Sequence, residues 1–174
     1  MILLKICVNA GHTINGKGGG AVCHVIESIE NRKVVNAVKR YLEEAGHDVV
    51  VANVDNAQSQ SAYLAGVVKK ANASKADLFV SIHFNAGGGN GCECYTWKGK
   101  KTPQGVGVCN ELNKLGFRNR GVKNGSHLYV VAKTTMNAVL VEVCFVDSKS
   151  DIKLYKELGV SKVAQAIARG ILNT

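Results

Sequence analysis

The sequence predicts an α/β domain built on a mostly parallel, twisted sheet of about six strands, with helices on both faces. Three observations carry that expectation. Short β-branched apolar runs alternate with longer segments whose apolar residues recur at helical spacing. The runs are apolar almost throughout, as strands covered on both sides must be. Glycine-rich stretches mark the ends of the runs. The 174 residues are 46% hydrophobic, enough to bury one core, and their number suits a single domain over residues 1–174.

The elements follow in order. Residues 2–8 form an apolar strand that leads into Asn9-Ala10-Gly11-His12. Asn15-Gly16-Lys17-Gly18-Gly19-Gly20 is a loop long enough to wall a site, and without the GxxxxGK[ST] pattern it is not a phosphate loop. From Glu27 to Glu44, Ile29, Val34, Val38, Tyr41 and Leu42 recur at helical spacing, and Gly46 stops the helix. Residues 48–53 contain Val49-Val50-Val51 and read as a second strand. A second helix covers residues 61–73, with Tyr63, Leu64, Val67 and Val68 on its apolar side. The strand 78–82 ends at His83, a glycine loop spans 87–91, and residues 92–97 form another strand. Pro103 suits the first turn of a helix reaching about residue 115. Residues 128–131 and 138–143 read as two further strands, and 160–172 as a closing helix.

His12 and His83 each follow an apolar run, so both imidazoles emerge at the carboxyl edge of buried strands, where α/β sheets bind ligands. Two neutral imidazoles and one carboxylate make a set that binds zinc and leaves a coordination position open, as hydrolytic zinc enzymes require. Glu27, in the first turn of its helix, is the carboxylate of choice, with Glu30 as its competitor. Glu142 sits among Val139, Leu140, Val141 and Val143, where an unpaired surface charge would be costly, and is free to act as a base. Asn85, two residues past His83, can hydrogen-bond substrate or hold the loop. His24, His47 and His127 take structural or surface roles.

The formal charge of +9 favours an anionic partner, with Lys98, Lys100, Lys101, Lys114, Arg118, Arg120 and Lys123 concentrated in the second half. Low aromatic content and the lack of any helix-turn-helix, RNP-type or zinc-finger pattern argue against nucleic acid. No stretch approaches the roughly 20 apolar residues of a membrane span, and no signal-peptide pattern is visible. The expectation is therefore synthesis in the cytoplasm without membrane association. The six cysteines include no CxxC pair; Cys7 and Cys144 lie within apolar runs, and Cys92 and Cys94 share one face of a strand as packing residues.

Four segments, Val8-Asn9-Ala10-Gly11-His12, Glu27-Ser28-Ile29-Glu30-Asn31, Ser81-Ile82-His83-Phe84-Asn85-Ala86 and Val141-Glu142-Val143-Cys144-Phe145, occur in that order. Together they resemble the zinc-dependent N-acetylmuramoyl-L-alanine amidases of the type 3 family, with Arg120-Gly121-Val122-Lys123 as a lesser point of likeness. The resemblance extends from the first strand to the last helix. It implies one zinc ion held by His12, Glu27 and His83, with Glu142 as the catalytic carboxylate. It also implies hydrolysis of the amide between N-acetylmuramic acid and L-alanine in bacterial peptidoglycan by a phage endolysin or bacterial autolysin. Such an enzyme would reach the wall through a membrane pore or after lysis, with a wall-binding module lying outside this chain or replaced by its positive charge. Asn9 stands where the family commonly has Asp, which leaves a supporting contact from that position open. Two other readings remain: a zinc peptidase cutting the stem peptide, and a non-catalytic wall-binding domain. The products of wall digestion separate the first, and binding without release of soluble fragments would favour the second.

Overall fold

The computed structural model describes residues 3–173. Its elements are β1 (Lys5–Ala10), β2 (Asn15–Gly16), α1 (Glu27–Glu44), β3 (Asp48–Val51), β4 (Asn56–Ala57), α2 (Gln60–Ser74), β5 (Leu78–Asn85), β6 (Cys92–Thr96), α3 (Pro103–Lys114), β7 (Asn119–Asn124), α4 (Tyr129–Lys133), β8 (Asn137–Phe145) and α5 (Lys149–Leu172). Six strands form the central sheet in the order β3-β1-β5-β8-β6-β7, and β2 and β4 make a separate two-residue pair. The first four run parallel to one another, whereas β6 is antiparallel to β8 and β7 is parallel to β6. The carboxyl ends of β1, β5 and β8 therefore meet at one edge.

Alternation along each strand sorts side chains between two layers. Ile6, Val8, Val80, Ile82, Val139 and Val141 pack under α1, α3 and α5, whose Val34, Val108 and Ile167 are fully buried. Cys7, Phe79, Ala138 and Leu140 pack under α2 and α4 through Tyr63, Val67, Val130 and Val131. Helices cover both faces, as the sequence predicts, and α1 and α3 begin where expected. Cys92 and Cys94 are buried in the larger cluster, and all six cysteines are free. Residue 2 of the expected first strand lies outside the described residues.

Three elements differ from the sequence reading. Residues 128–131, read as a strand, contribute to the short helix α4 instead; its first turn closes through Ala132 N–H donating to the Leu128 carbonyl at 2.9 Å. The turn buries Val130 and Val131 against the sheet, so packing overrides the β preference of these residues. The sixth strand is β7, an edge strand whose residues Asn119-Arg120-Gly121-Val122-Lys123-Asn124 show no apolar alternation. Its charges suit an outermost strand that must not pair further. The closing helix begins earlier, at Lys149, where the Ser148 side chain caps it, and Gly159 (φ 77°, ψ 157°) breaks it into two arms. No helix among the described residues is long and apolar enough to cross a membrane.

Candidate metal centre and cleft

At the carboxyl edge the α2/α4 face changes character. Continuing the alternation beyond Cys7, Phe79 and Leu140 brings Asn9, Ser81, His83 and Glu142 onto that face, and Glu142 pairs with His83 across β5 and β8. Residues the chain holds far apart thus form one polar floor.

His12 lies two residues beyond the end of β1. It adopts a left-handed φ of 66°, and its backbone is pinned on both sides: its N–H donates to the Tyr63 hydroxyl at 2.7 Å, and its carbonyl accepts from Arg32 Nη2 at 2.8 Å. The ring Nδ1 lies 3.0 Å from the Gly18 carbonyl, which can only accept, so Nδ1 carries the proton and Nε2 presents its lone pair. His83 is oriented by a buried chain of polar groups. Asn9 Nδ2 donates to the Ala52 carbonyl at 3.2 Å, the Ser81 hydroxyl donates to Asn9 Oδ1 at 2.9 Å, and His83 Nε2 donates to Ser81 Oγ at 3.1 Å. Its Nδ1 is left facing the site. Asn9 makes this supporting contact in the position the sequence reading left open.

Glu27 completes the set. Its Oε1 lies 3.0 Å from His12 Nε2 and 3.2 Å from His83 Nδ1, while Ala21 N–H holds Oε2 at 2.8 Å. Glu30 points elsewhere, accepting from Tyr155 Oη and Lys33 Nζ at 2.8 Å each. Helix α1 explains the difference: its first turns bury Glu27, Ser28, Glu30 and Asn31 and expose Ile29, the reverse of an ordinary amphipathic helix. Ile29, expected on the buried stripe, is 41% exposed. Two glycines allow the rings to close in. A Cβ on Gly11 would lie 2.2 Å from the His83 ring, and one on Gly20 would lie 2.7 Å from the His12 ring and 2.8 Å from Glu27 Oε2.

One donor atom from each of His12, Glu27 and His83 lies within 4.8 Å of the others, which makes the trio a possible metal site. Two imidazole lone pairs and a carboxylate oxygen converge there, so a proton or a cation must stand between them. Titration follows that geometry. Burial alone would raise Glu27, but hydrogen bonds and charge from both histidines hold it far below the usual carboxylate range. Burial would lower His12, yet the hydrogen bond and charge of Glu27 raise it; for His83, burial prevails and lowers it.

Glu142 is different in kind. Its Oε2 is buried with no hydrogen-bond partner among the described residues. Burial pushes its carboxyl well above the ordinary range, and the negative charges of Glu27 and Glu93 push further. It lines a cleft of about 350 Å³ together with His12, Tyr63, His83, His127 and Tyr129. His127, read from the sequence as structural or surface, is exposed on this cleft, where its ring meets that of Tyr95 edge-on at 6.1 Å. No pattern marks it in the sequence, because the turn that carries it follows an unpredicted strand. Asn85 holds structure: its amide donates to Glu93 at 2.8 Å and its oxygen accepts from Ala86 N–H at 2.8 Å. His47 is buried and accepts from Leu4 N–H, and His24 is exposed.

The sequence and fold resemble those of known proteins. The family model described as N-acetylmuramoyl-L-alanine amidase matches residues 6–173. An uncharacterised protein of Clostridium perfringens is 38% identical over 176 residues, covering 97% of this chain and 51% of that protein. The endolysin of Bacillus phage SPP1 is 33% identical over 178 residues, covering 95% of this chain and 64% of the endolysin. The chain thus spans about half of the first relative and under two thirds of the second. A solved structure, the catalytic domain of the CD27L endolysin targeting Clostridia difficile, matches with a TM-score of 0.90 at 29% identity over 98% of each chain.

Proposed function

The chain belongs to the N-acetylmuramoyl-L-alanine amidase family, and from that premise we propose that it is a single catalytic domain that hydrolyses the amide between N-acetylmuramic acid and L-alanine in bacterial peptidoglycan. The observation that carries this reading is the pairing of a convergent His12, Glu27 and His83 donor set with an unpartnered Glu142 carboxylate one strand away.

The donors fit zinc, since two imidazole nitrogens and a carboxylate are an ordinary hydrolytic zinc set, and both rings donate their other N–H to oxygen, as ligating histidines do. A zinc ion there would polarise the scissile carbonyl and make an attacking water more acidic. Glu142 takes the proton from that water at Oε2 and delivers it to the departing alanine nitrogen. A carboxyl whose proton affinity is raised by burial suits both transfers near neutral pH. Tyr63 keeps its phenol protonated, burial having pushed it up to about 12, and its oxygen fixes the His12 backbone. The endolysin relative supports action on the wall after lysis or through a pore, and the longer relatives leave room for a wall-binding module beyond this chain.

Digestion of purified peptidoglycan followed by mass spectrometry tests the reaction. Intact stem peptides and intact glycan are expected; fragments cut within the peptide would replace the amidase reading with a peptidase one. Metal analysis should find one zinc per chain, and chelation should abolish activity that added zinc restores. A zinc-free protein indifferent to chelator would remove the metal assignment.

A further inference from the structure

Beside Glu142, on the two strands that run against the rest of the sheet, lies a second polar cluster. β6 and β7 pair Cys92 with Asn119 and Cys94 with Val122, so Arg120 and Gly121 together oppose Glu93. The extra residue is a bulge, and Gly121 supplies the φ of 79° it uses. Bulges of this kind re-aim a side chain, and here the side chain is Arg120. Its Nε donates to Glu93 Oε2 at 2.8 Å, while Asn85 Nδ2 and Tyr95 Oη donate to Oε1 at 2.8 and 3.0 Å. Glu93 is 3% exposed and stands directly opposite Glu142. The guanidinium also lies over the Phe145 ring, 4.9 Å from its centre.

Arg120 is therefore held at Nε and on one face, with Nη1 and Nη2 making no protein hydrogen bond among the described residues and 29% of the side chain exposed. Arg32, the other arginine near the metal donors, is engaged by Asp55 and by the carbonyls of His12 and Ser28. The floor of the site is otherwise acidic, with Glu27, Glu93 and Glu142 contributing three carboxyl groups. An anionic substrate group needs a cation there, and a rigid guanidinium with a free fork binds a carboxylate in two-point fashion. With strands about 4.8 Å apart, β7 lies roughly 10 Å from β8, about the reach of two extended residues plus a side chain.

We propose that Arg120, which stands beside the cleft on the β6–β7 side of Glu142 and not in its lining, is a carboxylate anchor that binds a free carboxylate of the stem peptide on the leaving-group side of the scissile amide. The chain then prefers carboxylate-bearing stem peptides over amidated ones. This inference rests on the amidase reading above.

The test uses two soluble N-acetylmuramoyl peptides that differ only in whether the residue after L-alanine carries a free carboxylate or its amide, assayed with zinc-loaded enzyme. Wild type should favour the carboxylate about ten- to a hundredfold, chiefly through KM, as expected for a charge-assisted pair. In Arg120→Gln the ratio should fall to about one. Arg120→Lys preserves the partner of Glu93 but not the fork, and should lose severalfold of the preference; it decides the matter if the glutamine variant does not fold. An unchanged ratio in the folded variants, or no preference in wild type, overturns the anchor. Should wild type cleave neither peptide, the amidase reading fails, and calorimetric binding of the same peptides judges Arg120 separately. A carboxylate preference lost in the variant upholds the anchor, and equal affinities reject it.

Discussion

The two faces of the central sheet are made by the same strands, one residue out of phase, and they do opposite work. Val8, Ile82 and Val141 enter the closed layer beneath α1, α3 and α5 and are fully buried. Their immediate successors Asn9, His83 and Glu142 enter the layer beneath α2 and α4, where Gln60, Tyr63 and Leu64 of α2 and Tyr129 and Val130 of α4 line a cleft over His83 and Glu142. The sheet keeps one face apolar throughout, while the other face, apolar at Cys7, Phe79 and Leu140, carries at its carboxyl end groups that do little for stability. The comparison teaches that stability and chemistry should separate between neighbouring residues of one strand.

Neighbours on β8 give the largest contrast. Glu142→Ala should lose about 10²- to 10⁴-fold in turnover, the usual worth of a proton-transferring group. Its melting temperature should hold or rise, because the substitution removes a buried oxygen without a partner. Val141→Ala should do the reverse, costing about 2 kcal/mol or more through two lost methyl groups and a cavity, with turnover per folded molecule retained. Wall-lysis rates beside thermal unfolding curves read both, and an active Glu142→Ala enzyme would strip that residue of its role.

On β5 the same split concerns the metal. Ile82→Ala is expected to lose about 2–5 kcal/mol of stability and keep its zinc. His83→Ala should lose stoichiometric zinc at a smaller cost in the stability of the metal-free protein. Denaturant unfolding of the metal-free forms, paired with metal analysis, checks the two outcomes; zinc retained by His83→Ala would break the comparison. A subtler probe is Gly20→Ala. Its new Cβ would press on the His12 ring and Glu27 at a backbone φ of 76°, so zinc affinity should fall about 10- to 100-fold, as for other losses of support around a metal site. Competition with a chromogenic chelator measures it, and an unchanged affinity would mean that the loop yields freely.

How much of this was legible in the sequence follows from the same phase relation. A buried parallel strand reads as a solid apolar run, so the places where His83 and Glu142 interrupt or end such runs stand out, and His12 stands out for the same reason. Glu27 was harder, since Glu30 lies one turn away and both are buried; only the contacts separate them, with Glu30 taken by Tyr155 and Lys33. The antiparallel side of the sheet was least readable. β7 carries its information in a bulge and in charge, neither of which has a hydrophobic period, and α4 is one turn of β-preferring residues held by packing. Arg120 appeared in a basic stretch and in the lesser family likeness Arg120-Gly121-Val122-Lys123, neither of which gave it a role, and Glu93 gave no signal beyond its place between Cys92 and Cys94.

The smallest effect concerns the rim of the polar face. Gly87 and Gly88 N–H groups both donate to Asp147 Oδ2 at 2.8 Å, tying the glycine loop beside the cleft to the end of β8. Those two hydrogen bonds hold the Asp147 carboxyl below its ordinary value. A folded value depressed below the unfolded one, about 3.9, means that the tie contributes its full stability above that pH and loses it as pH falls through the lower folded value. The contribution is a fraction of a kcal/mol, because solvent screens the site. The amide proton shifts of Gly87 and Gly88 should accordingly titrate with a midpoint below about 3.9, and in Asp147→Asn that step should vanish. A midpoint at or above the unfolded value would show that the loop is not held by this carboxylate.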